Sequence, residues 1–130
     1  SVLLFGGAAS DKRLIVQLGA PCRTGRGQVE IPVTLGVPVE ALALVPKGSG
    51  YIAETPLAVA SLDEKGGRID LPGSRLRVAL QTPPRAGTYA RFQTVLKLRN
   101  AGQHLVFTIP DALQGAALWG DARFVPQPKG

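Results

Sequence analysis

The sequence predicts an all-β domain, an immunoglobulin-like antiparallel β-sandwich of about eight strands. Apolar and polar residues alternate along several stretches, the two-residue period of a strand with one buried face. Those stretches are separated by turn signals drawn from 16 glycines and 11 prolines, at intervals of roughly 8 to 14 residues. No comparable stretch carries the longer period of an amphipathic helix.

Each element follows in order. The opening "SVLLFGG" gives residues 1–10 the look of a linker or an edge strand. In "QVEIPVTLGVPV", Val29, Ile31, Val33, Leu35 and Val37 form an unbroken odd-numbered apolar row, with Gln28, Glu30 and Thr34 opposite. Pro32 and Pro38 cannot donate to a ladder, which places this strand at a sheet edge or bulges it at the prolines. "EALALVP" (40–46) and "PLAVASL" (56–62) are apolar on both faces and flanked by proline, as in short strands covered on both sides. "SLDEKGGRIDL" reads as a hairpin whose turn contains two glycines able to take positive φ. "SRLRVALQT" turns Leu76, Val78 and Leu80 inward and Arg75, Arg77 and Gln81 outward, and "PPRAGT" then reverses the chain.

Residues 89–115, "YARFQTVLKLRNAGQHLVFTIPDALQG", read as one antiparallel hairpin with a dry face and a basic wet one. Phe92, Thr94, Leu96 and Leu98 face the core. "NAGQ" is its turn, and Leu105, Phe107 and Ile109 return on the same dry face. "DALQGAALWG" is a turn leading into a last strand at "DARFVP", and 126–130 form a tail.

The length suits a single domain spanning 1–130. The absence of methionine, even at position 1, suggests a fragment of a longer protein. No apolar run approaches the roughly 18 residues of a membrane helix. With Cys22 the single cysteine and His104 the single histidine, neither an intrachain disulfide nor a cysteine or histidine metal cluster can be assembled. A hydrolase would have to use His104 as base, and no G-x-S-x-G motif accompanies it. Asp63, Glu64 and Asp70 lack the EF-hand pattern and suit a tight turn instead. "GSGY" and "GRG" lack the strand-to-helix context of a phosphate loop and are turns. No catalytic residue, metal site or cofactor is therefore expected.

The net charge of +6 is uneven. Between residues 65 and 99, Lys65, Arg68, Arg75, Arg77, Arg85, Arg91, Lys97 and Arg99 stand against Asp70 alone. If the strand bearing Arg75 and Arg77 neighbours the one bearing Arg91, Lys97 and Arg99, the five make a cationic stripe, the candidate partner-contact face. Nucleic acid would call for aromatics among the charges. Phe92 has the opposite parity, and Tyr89 alone shares the face, so the expected partner is a protein and not a nucleic acid.

Four stretches in order, "SVLLFGG", "GRGQVEIPVTLGVPVEALALVP", "GYIAETPLAVASLDEKGGRIDLP" and "GTYARFQTVLKLRNAGQHLVFTIPDALQG", carry a family resemblance. The marks are Asp-x-x-Gly after a strand, Gly-x-Tyr before a long strand, the "LKLR" run and a D-x-x-x-G turn before the last strand. The chain resembles the C-terminal region of bacterial proteins with a von Willebrand factor A-like domain, the group called acidobacterial von Willebrand factor-related proteins. That resemblance implies an extracytoplasmic, immunoglobulin-like accessory module behind an adhesion-type domain. The A domain's own metal signature, Asp-x-Ser-x-Ser, is missing. The functional expectation is a non-enzymatic accessory or protein-interaction module whose partner is a neighbouring domain of the parent chain or another protein. The alternative is a carbohydrate-binding module, which would need Trp119 and a tyrosine side by side on the surface.

Overall fold

In a computed structural model, which describes residues 14–39, 42–81, 87–110 and 117–126, the chain is almost wholly β-strand, with no α-helix among the described residues. Among the described residues nine strands form two antiparallel sheets: β1 (Ile15–Leu18), β2 (Cys22–Gly25), β3 (Gln28–Pro38), β4 (Val45–Lys47), β5 (Gly50–Leu62), β6 (Arg68–Leu80), β7 (Tyr89–Arg99), β8 (Gln103–Pro110) and β9 (Ala117–Phe124). In the first sheet β3 is central, with β7 along one side and β1 and β2 end to end along the other. In the second, β5 pairs with β6 on one side and with β4 and β8 on the other, and β9 follows β8. Strand-to-strand hairpins stay within a sheet at β2–β3, β4–β5 and β5–β6, and the chain changes sheet between β3 and β4, between β6 and β7 and between β7 and β8. This is the immunoglobulin-like sandwich that the alternation predicts.

The core lies where the two inner rows meet. From the first sheet come Val29, Ile31, Val33, Leu35 and Val37 with Phe92, Leu96 and Leu98. Leu57, Val59, Leu76, Val78, Leu80, Leu105, Phe107 and Ile109 come from the second. Every one is buried, so the parity read from the sequence gives the burial correctly. Thr94 sits opposite Val33 and is half-buried.

Four expectations are corrected. First, β3 is not an edge strand. Pro32 is accommodated because its carbonyl accepts from Gly19 N (2.7 Å) across the break between β1 and β2. A residue in a strand points its N–H and C=O to the same side, so the missing N–H falls at that break, where no ladder bond is lost. Pro38 ends the strand. Second, among the described residues of 40–46 only Val45 and Pro46 are in a strand, while Leu42 is a buried residue in a bend, its N–H donating to Val39 O (3.1 Å). Third, 56–62 is the end of a 13-residue strand with alternating burial rather than a separate short one. Fourth, β7 and β8 are not a hairpin. β7 pairs with β3 and β8 with β5 and β9, so "NAGQ" carries the chain from one sheet to the other.

The turn of 63–67 is as read. Asp63 Oδ1 accepts from Lys65 N (2.9 Å) and Gly67 N (2.7 Å), and Gly66 takes the positive φ of 86° that favours glycine. Residues 1–10, the "PPRAGT" positions 83–86, the D-x-x-x-G turn at 111–115 and the tail after Pro126 lie outside the described residues.

Candidate functional site

The five basic residues singled out by sequence do not share a face. Arg75 and Arg77 are on β6 in the second sheet, and Arg91, Lys97 and Arg99 are on β7 in the first. The anticipated β6–β7 pairing does not exist, because Leu76, Val78 and Leu80 of β6 and Phe92, Leu96 and Leu98 of β7 must all point into one core between two sheets. The cations consequently point outward from opposite faces. What unites them is an edge, since β6 and β7 are the outermost strands of their sheets on the same side of the sandwich.

Nor do like charges face each other there. In register, Arg75 is opposite Pro56, Arg77 opposite Glu54, Arg91 opposite Gly36, Lys97 opposite Glu30 and Arg99 opposite Gln28. Opposite-charge register pairs on a sheet are stabilising and like pairs destabilising, so this arrangement avoids the repulsion a cationic stripe would suffer. Arg68, also on β6, donates through Nε to Asp70 Oδ1 (3.0 Å) in an exposed ion pair. The cations left with an uncharged register partner are Arg75, Arg91 and Arg99.

At one end of this side the two sheets part to form a cleft of about 270 Å³, between the β5–β6 turn and the β7–β8 crossing. Ile69, Leu71 and Leu98 supply its apolar wall, and Lys97, Arg99 and Gln28 its polar rim. Ile69, on the cleft wall, is 53% exposed. Gln103 builds the crossing beside it. Its Nε2 donates to Arg99 O (2.8 Å) and Ala101 O (3.0 Å), and its Oε1 accepts from Ser61 Oγ (2.6 Å) on β5. One side chain thus clips the corner of the first sheet to a strand of the second. Sequence reasoning missed this role for Gln103 and Ser61; the available signal was a long amide directly after an Asn-x-Gly break, which suits a corner as well as a hairpin.

The outer face of the second sheet holds the remaining polar cluster. His104 Nε2 donates to Asp121 Oδ2 (2.6 Å), with Arg123 in register beside His104. Among the described residues His104 has no hydrogen bond to a Ser, Thr or Cys side chain, and the pair is an oriented imidazole on the outer face of the sheet. Trp119, two residues before Asp121 on β9, is 45% exposed. Tyr89, at the start of β7 opposite Pro38, is only 5% exposed, against the expectation that it stands among the cations. Tyr51 packs partly buried against the core. Tyr51 is on β5 and Tyr89 on β7, whereas Trp119 is on β9 in register with Thr108. Cys22 is exposed on β2.

Among the described residues no group of three or more His, Cys, Asp or Glu side chains is placed to hold a metal ion, and no helix is long and apolar enough to cross a membrane. Comparison with family models and with curated proteins gives no match for this chain.

Proposed function

We propose that the chain is a non-enzymatic accessory module that binds an acidic protein surface along the β6/β7 side of its sandwich. The observation that carries the reading is the concentration of Arg75, Arg77, Arg91, Lys97 and Arg99 on the two outermost strands of one side, beside a cleft with an apolar wall. Arginine predominates, and its planar fork suits bidentate contact with carboxylates in partly dry interfaces better than lysine does. An acidic patch of a neighbouring domain in the parent chain, or of another protein, supplies those carboxylates. The resemblance to von Willebrand factor A-related proteins supports an extracytoplasmic setting for that contact. The carbohydrate reading keeps one supporting feature, exposed Trp119.

The test is the triple variant Arg75→Glu, Arg91→Glu, Arg99→Glu, chosen because none of the three faces an acid in register. The probe is poly-L-glutamate, with duplex DNA as the competing polyanion. The reading predicts salt-sensitive binding of polyglutamate that the variant loses, at unchanged folding. Equal polyglutamate binding by the variant would remove the basic side from consideration. DNA bound more tightly than polyglutamate, with a steep salt slope, would replace the protein partner with a nucleic acid.

A further inference from the structure

Residue parity on β7 fixes which backbone groups face outward from the sheet. Pro32 directs its carbonyl to Gly19, away from β7. The Pro32–Val95 register pair is consequently a non-hydrogen-bonded one, and Val95 must direct its own N–H and C=O away from β3. The even-numbered flanking positions agree: Thr88 O accepts from Val39 N (3.0 Å), and Asn100 N donates to Gly27 O (2.9 Å). Arg91, Gln93, Val95 and Lys97 therefore present their backbone donors and acceptors to the outside of the sheet. Arg99 differs, because its carbonyl is already used by the Gln103 clip and by Ala101 N. Among the described residues no strand pairs with that edge of β7.

The two edge strands on this side are treated differently. β6 is interrupted, with Pro72 and Gly73 standing together opposite the single residue Ala58, and bulges and prolines are the means by which natural sheets blunt an edge. β7 has no proline and keeps unbroken register with β3 through all 11 of its residues. Its protection is charge: Arg91, Lys97 and Arg99 point outward along it. Cations discourage pairing with a second copy of the same strand or with a basic one, and leave an acidic strand free to pair. Val95 sits midway, 57% exposed, over a shallow depression of about 230 Å³ formed with Pro32, Thr34 and Gln93.

We propose that β7 is a docking edge that accepts an extended acidic segment of a partner protein by strand addition, with carboxylates beside Arg91 and Lys97 and an apolar side chain against Val95. This mode takes affinity from main-chain hydrogen bonds and specificity from alternate side chains. It rests on the reading of the β6/β7 side as the contact surface.

The probe is a capped nine-residue peptide, Thr-Glu-Thr-Val-Thr-Glu-Thr-Glu-Thr, whose second, fourth and eighth residues fall opposite Lys97, Val95 and Arg91 in antiparallel pairing, compared with two isomers each N-methylated at four alternate residues, one in each parity. Only one isomer removes the N–H groups that face β7. Strand addition predicts that one isomer loses binding at least tenfold while the other keeps it, and that Val95→Pro reproduces the loss. That substitution removes an edge donor without touching a β3 bond, so the variant folds. Two isomers of equal affinity, or equal loss by both, overturn strand addition, as does unchanged peptide binding by a folded Val95→Pro. Retained salt-sensitive binding of polyglutamate would leave the charge reading intact in each case. If neither polyglutamate nor the peptide binds, both readings fall.

Discussion

Replacing Gly120 with alanine probes how the sandwich is closed on the side opposite β6 and β7. The start of β1 crosses β9 so tightly that a Cβ on Gly120 would lie 2.6 Å from Leu14 O, 2.9 Å from Leu14 Cβ and 3.0 Å from Val16 Cγ2. The nearest obstacle is a backbone carbonyl, which cannot rotate away, and the same contact includes the Leu14 N to Trp119 O hydrogen bond of 3.0 Å. Overpacking of this kind costs about 1 to 3 kcal/mol, and losing the hydrogen bond adds roughly 1 kcal/mol. The lower chain entropy of alanine in the unfolded state offsets about 0.4 to 1 kcal/mol. The net loss, on the order of 1 to 3 kcal/mol, should lower the melting temperature by roughly 4 to 12 °C for a domain of this size. Gly25→Ala is the control, since its Cβ would meet only Gln28 Oε1 at 4.0 Å. Thermal melts followed by circular dichroism would refute the reasoning if Gly120→Ala melted with the parent or above it.

Three further outcomes follow. Val33→Asp puts an unpaired carboxylate at a fully buried position between the sheets, at a cost of several kcal/mol, on the order of the whole stability of a domain; an unchanged denaturant midpoint would contradict the placement of β3. Gln103→Ala removes three hydrogen bonds from the sheet crossing and should destabilise by about 1 to 3 kcal/mol, with faster hydrogen exchange at Ala101 and Gly102; unaltered exchange would show that the clip is not needed. Chelation of divalent ions should leave the melting temperature where it was, and a calcium-dependent rise would instead assign Asp63, Glu64 and Asp70 as ligands.

Burial could be read from the sequence because it depends on parity within one strand. Every odd-numbered residue from Val29 through Val37 and from Leu105 through Ile109 is buried, with Gly36 the one even-numbered residue buried between them, and any antiparallel arrangement must bury those rows. Sheet membership could not be read the same way. Asn100, Ala101 and Gly102 satisfy the backbone needs of a hairpin turn and of a crossing between sheets equally well, and the deciding contacts, Gln103 to Ser61 and Asn100 N to Gly27 O, reach residues 42 and 73 positions away. Pro32 misled for a related reason. A proline forbids one donor on one side of a strand, and whether that side is an edge or merely a gap between β1 and β2 is set by the neighbouring strand's break at Gly19, not by β3 itself. The same limit governs the site: the basic residues and their outward direction were legible, whereas their division between two faces of one edge required the topology.

The central claim, that the β6/β7 side is the contact surface, is tested most directly by following backbone amide shifts of the domain during titration with the unmethylated nine-residue peptide. The account predicts that the largest changes fall on Arg91, Gln93, Val95 and Lys97, with smaller ones at Arg75, Arg77 and Arg99, and that they fade as salt is raised. Changes centred instead on His104, Trp119, Asp121 and Arg123 would contradict it and move the binding surface to the outer face of the second sheet.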